Sequence, residues 1–349
     1  MSAPSAAIYG CAGHHLTEAE RAFYRQASPW GFILFKRNVQ NSDQLSALTA
    51  DLREAVGRDA PILIDQEGGR VQRMGPPHWP KYPPGGAYRG ATNDPLGDRE
   101  LARLGGRLMA ADLKAVGINV DCAPVADTPV SGAHDIIGDR AYAADPATVA
   151  QLARAKAEGL MAGGVLPVIK HIPGHGRAFA DSHHELPVVD ADLETLEAWD
   201  FLPFRALSDM PMAMTAHVVY PAIDRRNPAT TSRKAIRLMR ESLGFDGLIM
   251  TDDLSMKALS GSFTERAERS LKAGCDVVLH CNGDLAEMTE VAEGVGPLRG
   301  KAGTRAAAAL ARIVRTPEPL DEVEARARFA ALMAGKLGAA LGPAVGEAP

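Results

Sequence analysis

Leu166-Pro-Val-Ile-Lys-His171 is an apolar run that breaks, at its carboxyl end, into a lysine and a histidine. An apolar run with no polar alternation suits a strand covered on both faces, as in a parallel sheet. Seven further short runs read as strands: Ala7–Cys11, Gly31–Phe35, Pro61–Asp65, Asn119–Ala123, Met212–His217, Gly247–Thr251 and Asp276–His280. Several of them repeat the pattern of an apolar body closed by polar residues. Asp65 closes Pro61-Ile-Leu-Ile-Asp65, His217 closes Met212-Ala-Met-Thr-Ala-His217, and Asp252 and Asp253 close Leu248-Ile-Met-Thr-Asp-Asp253. Asp121 stands near the end of the fourth run.

Amphipathic stretches lie between these runs. Thr17–Gln26, Ser42–Val56, Pro95–Val116, Pro146–Ala162, Ser232–Leu243 and Thr264–Ala273 begin on Ser, Thr or Pro, and Gly117, Gly244 and Gly274 stand where helices stop. Eight strands alternating with helices predict an α/β fold, a (β/α)8 barrel of one domain. A doubly wound open sheet is the rival, but no G-x-G-x-x-G follows an early strand. No repeat or linker divides the chain. The expected domain is 1–336, with 337–349, rich in Gly, Ala and Pro, as a flexible tail.

Composition narrows the function classes. Net charge is −5, with 38 basic and 43 acidic residues and no basic run, so nucleic acid is not an expected partner. The four cysteines form no C-x-x-C pair and read as reduced core residues. The first residues lack a signal-peptide pattern, and no apolar run has the roughly 18 residues of a membrane span. The expected location is the cytoplasm, with no membrane partner, and the expected state is a monomer.

In a barrel, the carboxyl ends of the strands form one rim, where such enzymes carry out chemistry. The segment after the fifth strand is the richest part of that rim. Lys170-His-Ile-Pro-Gly-His-Gly-Arg-Ala-Phe-Ala-Asp-Ser-His-His-Glu185 holds four histidines, and its apolar anchors are Ile172 and Phe179. Pro173, Gly174 and Gly176 argue against a helix there. A metal-dependent barrel hydrolase is one rival reading, with His171, His175, His183, His217, Asp65 and Asp252 as ligands. The same prolyl-glycyl break keeps His171 and His175 off one helical face, so no metal is expected.

These segments resemble glycoside hydrolase family 3, in particular its single-domain β-N-acetylglucosaminidases. The resemblance is carried by Asp65-Gln-Glu-Gly-Gly-Arg-Val-Gln-Arg73, Gly138-Asp-Arg140, Lys170-His-Ile-Pro-Gly-His-Gly176, Asp181-Ser-His183 and Thr251-Asp-Asp-Leu-Ser-Met256. It implies a (β/α)8 barrel and retaining hydrolysis of terminal N-acetylglucosamine without a cofactor. Asp252 then matches the nucleophile, His183 the acid/base and Asp181 its partner. Asp65, Arg73, Arg140, Lys170 and His171 match sugar-binding positions. The implied substrate is a small carbohydrate from recycled cell wall, N-acetylglucosamine linked to anhydro-N-acetylmuramic acid with or without peptide. A β-glucosidase, a xylosidase or a phosphorylase of the same family are the alternatives. The chain departs from the family pattern at Ala141-Tyr-Ala-Ala144, where a glycine is expected after the aromatic, and at Ile172, where many members carry an aromatic.

The residue types suit that chemistry. A retaining glycosidase needs a nucleophile at the anomeric carbon and a second group that first gives and then takes a proton. An imidazole titrating near pH ~6.5 can do both at neutral pH. Each position also has a plainer reading. Asp252 or Asp253 could cap a helix starting near Leu254. Arg73 and Arg140 could be held by rim carboxylates, Glu67 could pair with an arginine, and His175 and His184 read as structural.

Overall fold

The computed structural model describes residues 3–92, 94–180, 182 and 186–340, with side chains as far as Gly335. Asp181, His183, His184 and Glu185 lie outside the described residues. The strands are β1 (Ser5–Tyr9), β2 (Pro29–Leu34), β3 (Ile62–Ile64), β4 (Gln66–Gly68), β5 (Val71–Gln72), β6 (Val120–Asp121), β7 (Leu166–Ile172), β8 (Met212–Thr215), β9 (Leu248–Asp253) and β10 (Val277–His280). Eight of them pair in parallel in the closed order β1-β10-β9-β8-β7-β6-β3-β2. These are the eight strands read from the sequence. The antiparallel pair β4–β5 is an added hairpin that leaves the rim directly after β3.

The helices are α1 (Glu18–Ala27), α2 (Ser42–Val56), α3 (Pro95–Ala115), α4 (Pro146–Ala162), α5 (Leu193–Thr195), α6 (Leu202–Ala206), α7 (Arg233–Glu241), α8 (Phe263–Ala273), α9 (Leu285–Glu293), α10 (Gly300–Ala311) and α11 (Glu322–Ala340). Side-chain caps set where several begin: Thr17 accepts from the Glu20 N–H, Asn41 from Gln44, Asp145 from Thr148 and Ser262 from Glu265. Each such cap contributes about 1 kcal/mol. The last helix continues to Ala340, four residues into the segment expected to be a tail.

Strand parity divides the apolar residues into two layers. Ile8, Ile33, Leu63, Val120, Val168, Met214, Met250 and Leu279 pack together on the barrel axis. Their neighbours Tyr9, Phe32, Ile64, Ile169, Ala213, Ile249 and Val278 face the helices, where they meet residues such as Leu45, Leu48, Leu108 and Leu160. Burying each large aliphatic side chain contributes roughly 1.5–3 kcal/mol. A residue two places beyond an axial one faces the axis again, now at the carboxyl mouth. Leu63 therefore predicts the direction of Asp65, Val168 that of Lys170, and Met250 that of Asp252. The same counting corrects the reading of Asp121 as a rim residue. It lies between the axial residues Val120 and Cys122, points to the helix layer and is fully buried there under the influence of Lys156.

Candidate active site

A cavity of about 310 Å³ opens at the carboxyl ends of the strands. All described site residues read from the sequence line it: Asp65, Arg73, Arg140, Lys170, His171 and Asp252. His183, the expected acid/base, and Asp181, its expected partner, lie outside the described residues. Between them Ser182 is described and lines the same cavity.

One wall is a chain of alternating charges. The Lys170 ammonium sits 2.8 Å from Asp65 Oδ1 and 2.7 Å from Glu67 Oε1. Arg73 Nη2 donates to Asp65 Oδ2 at 3.0 Å. Arg140 grips Glu67 with both arms of its guanidinium, Nε to Oε2 and Nη2 to Oε1, each at 2.8 Å. Three cations against two carboxylates leave one excess positive charge. Burial favours the neutral acids here, but Lys170 and Arg140 outweigh it and hold Glu67 at about 2. Lys170 and Arg73 likewise hold Asp65 below the carboxylate range against the same burial. Burial alone would lower Lys170, yet Asp65 and Glu67 keep it charged.

The hairpin and its flanks supply Asp65, Glu67 and Arg73 of this wall from one short stretch. The Gln66 side chain accepts from the Arg73 and Met74 N–H groups and donates to the Met74 carbonyl. Gly68 and Gly69 have φ of +106° and +61°, and a Cβ on Gly68 would lie 2.2 Å from the Pro83 oxygen. Only glycine admits that turn and that approach. Gly85 is as close to the Arg140 carbonyl, so Arg140 reaches Glu67 although Ala141-Tyr-Ala-Ala144 departs from the family pattern.

The opposite wall is β9. The Asp252 carboxylate is partly open to the cavity and, among the described residues, accepts a hydrogen bond from the Asp253 N–H at 2.8 Å. Burial would raise its pKa, but His171, His217, that N–H and Lys170 together lower it. Asp253 is committed elsewhere. Its oxygens accept from the Ser255 N–H and hydroxyl and from the Cys281 N–H. No helix begins at Leu254; α8 starts at Phe263 with Ser262 as its cap. The capping role therefore falls to neither aspartate, and among the described residues Asp252 has the fewer hydrogen-bond partners of the two.

His217 does not line the cavity. It is fully buried, and that burial lowers its pKa, with Nε2 donating to the Asp253 carbonyl and Nδ1 facing the Thr230 hydroxyl. His175 does line it, and its Nε2 lies 3.2 Å from the Ser182 hydroxyl. Burial and the nearby His171 bring His175 down to about 4. Phe179, expected as an anchor, is 63% exposed, whereas Ile172 is fully buried.

Sequence reasoning missed Asp127, Phe35, Met214, Met256, Leu279 and Cys281. All but Asp127 line the cavity. Parity was the available signal for several, since Phe35 lies two beyond axial Ile33, and Cys281 two beyond axial Leu279. Among the described residues no cluster of His, Cys, Asp and Glu has the arrangement of a metal site. All four cysteines are free and buried.

A closed barrel with a charged cavity at the carboxyl rim is the architecture of a barrel enzyme, and comparison identifies the family. Residues 15–316 match the model of the glycosyl hydrolase family 3 N terminal domain, and the chain belongs to that family. It is 41% identical over 293 residues to a beta-hexosaminidase of Bordetella avium, covering 81% of this chain and 83% of the relative. It is 38% identical to a beta-hexosaminidase of Chromobacterium violaceum, over 97% and 96% of the two chains. Its fold is similar to NagZ from Neisseria gonorrhoeae, solved in complex with N-trifluoroacetyl-D-glucosamine, with TM-score 0.82 and 33% identity over 95% and 99% of the chains.

Proposed function

We propose that this chain is a retaining exo-β-N-acetylhexosaminidase that removes terminal N-acetylglucosamine from cell-wall fragments in the cytoplasm. The observation that carries this reading is the contrast at the cavity: an Asp252 held ionised, with one hydrogen bond to its carboxylate among the described residues, beside a fixed array of paired charges. The family and the beta-hexosaminidase relatives support the acetamido sugar as the substrate class.

In the first step an Asp252 oxygen attacks the anomeric carbon while the glycosidic bond breaks. The His183 imidazolium gives its proton to the departing oxygen, and Asp181 stabilises the ring. In the second step His183 takes a proton from water, the water oxygen bonds to the anomeric carbon, and Asp252 leaves as the carboxylate. Asp65 accepts from sugar hydroxyls, and Lys170, Arg73 and Arg140 present charged donors. His171 offers its second ring nitrogen to the bound sugar. No cofactor enters either step.

The test is nitrophenol release from the aryl β-N-acetylglucosaminide beside the matching β-glucoside. Strong preference for the acetamido sugar supports the reading, and disaccharide–peptide fragments of cell wall then test the natural aglycone. Equal rates on both would move the chain to a broader β-glycosidase. A rate that rises with added phosphate, with sugar phosphate as product, would make it a phosphorylase.

A further inference from the structure

Asp127 was not singled out by any motif, and no role in sugar chemistry falls to it above. It follows β6 in Cys122-Ala-Pro-Val-Ala-Asp127, an apolar stretch, and is fully buried. Yet its carboxylate is saturated from the cavity side. Oδ2 lies 2.7 Å from His171 Nδ1, Oδ1 accepts the backbone N–H of His175 at 2.6 Å, and the His171 N–H is shared between Oδ1 at 3.2 Å and Oδ2 at 3.3 Å. Burial would neutralise the acid, but His171 and the His175 amide keep it ionised.

An ionised carboxylate only accepts hydrogen bonds, so the ring nitrogen that faces it must carry a proton. Nδ1 of His171 is therefore the protonated nitrogen. In the neutral ring Nε2, the nitrogen left for the cavity, is then a lone-pair acceptor. We propose that Asp127 is a positioning residue that fixes the tautomer of His171, so that His171 accepts a hydrogen bond from a hydroxyl of the bound sugar. This deepens the glycosidase reading of the same cavity and rests on it. The consequence for recognition is specific. Asp65 and His171 would both be acceptors, and Lys170, Arg73 and Arg140 all donors, so each sugar hydroxyl meets a partner of fixed sense.

Asp127→Asn isolates the effect. The asparagine oxygen can keep the His175 N–H and the Oδ1 half of the shared His171 N–H, while its NH₂ replaces Oδ2 against the His171 ring. A donor there requires Nδ1 to be the acceptor and moves the ring proton to Nε2, which turns the cavity nitrogen from acceptor into donor. The same kind of replacement beside another catalytic histidine lowers kcat by about 10⁴-fold through the wrong tautomer. Here the ring binds substrate and does not transfer the proton, so a loss of about 10²-fold in kcat/KM is expected, smaller than that reference.

The experiment is nitrogen NMR of the ring-labelled histidines, with His171→Gln used to assign the His171 signals, beside kinetics on the aryl β-N-acetylglucosaminide. The expected result is a proton on Nδ1 of His171 in the unsubstituted enzyme and on Nε2 in Asp127→Asn. In the His171→Gln background, Asp127→Asn should then cost no further activity, because the residue acts through that ring. A proton on Nε2 in the unsubstituted enzyme overturns the proposal even if the variant fails to fold. So does a further loss in the double variant, which would assign Asp127 a merely structural role. Absence of activity in the unsubstituted enzyme would instead strike the glycosidase reading and leave the tautomer measurement standing.

Discussion

The two walls of the cavity handle buried charge in opposite ways. On the β3–β7 wall every carboxylate is matched: Asp65 by Lys170 and Arg73, Glu67 by Lys170 and both arms of Arg140. On the β9 wall Asp252 has an amide hydrogen bond and distant positive charge. A matched, bidentate carboxylate is well oriented but poorly placed to form a new bond, since its lone pairs are occupied. A carboxylate that stays ionised with oxygens free is the one able to attack a carbon. On the proposed function, the first wall positions the sugar and the second reacts with it.

The largest effect that separates the walls is expected at Asp252. Asp252→Ala should lower kcat by roughly 10³-fold or more, as loss of a covalent nucleophile does in other enzymes. Its unfolding midpoint should stay near that of the unsubstituted chain, because among the described residues only the Asp253 N–H is hydrogen-bonded to the carboxylate. An activity loss matched by a collapse of the midpoint would erase the contrast. Lys170→Met should do the reverse. It leaves two buried carboxylates short of a partner and should destabilise by about 3–5 kcal/mol, measured by denaturant unfolding, as well as weakening substrate binding. A midpoint unchanged by that substitution would mean the ion cluster is not load-matched as described.

A smaller effect sharpens the comparison through pH. Glu67 is held at about 2, below its ordinary 4.5. A depressed carboxylate contributes stability that is present in full above about 4.5 and is lost as pH falls through that value toward 2. Unfolding midpoints between pH 6 and 3 should therefore fall with acid, and Glu67→Gln should flatten part of that slope. A variant as acid-sensitive as the parent would place the lost stability elsewhere.

Much of this was legible in the sequence because strands and chemistry share one signal. Apolar runs marked all eight barrel strands, and the polar residues closing them marked Asp65, Lys170, His171 and Asp252. Asp121 was misread because run-end position was weighed without strand parity, which sends it to the helix layer. Phe35 and Cys281 were overlooked for the complementary reason: parity brings them to the mouth, but no charge advertised them. Asp127 lay hidden in an apolar run, where its partners, two histidines' amides and a ring, come from more than forty residues away. The pairing of Glu67 with Arg140 was foreseeable as chemistry, but its partner could be chosen only once the hairpin and the segment around Gly138 were brought together.

The proposed reaction requires that Asp252 form the bond to the sugar. The most direct test is to trap that bond with a slow fluorinated N-acetylglucosaminyl substrate and to find the mass added to the protein by peptide mapping. The account predicts one sugar on the peptide carrying Asp252 and none in Asp252→Ala. A sugar on another residue, or turnover with no covalent adduct and an inverted product, would contradict it.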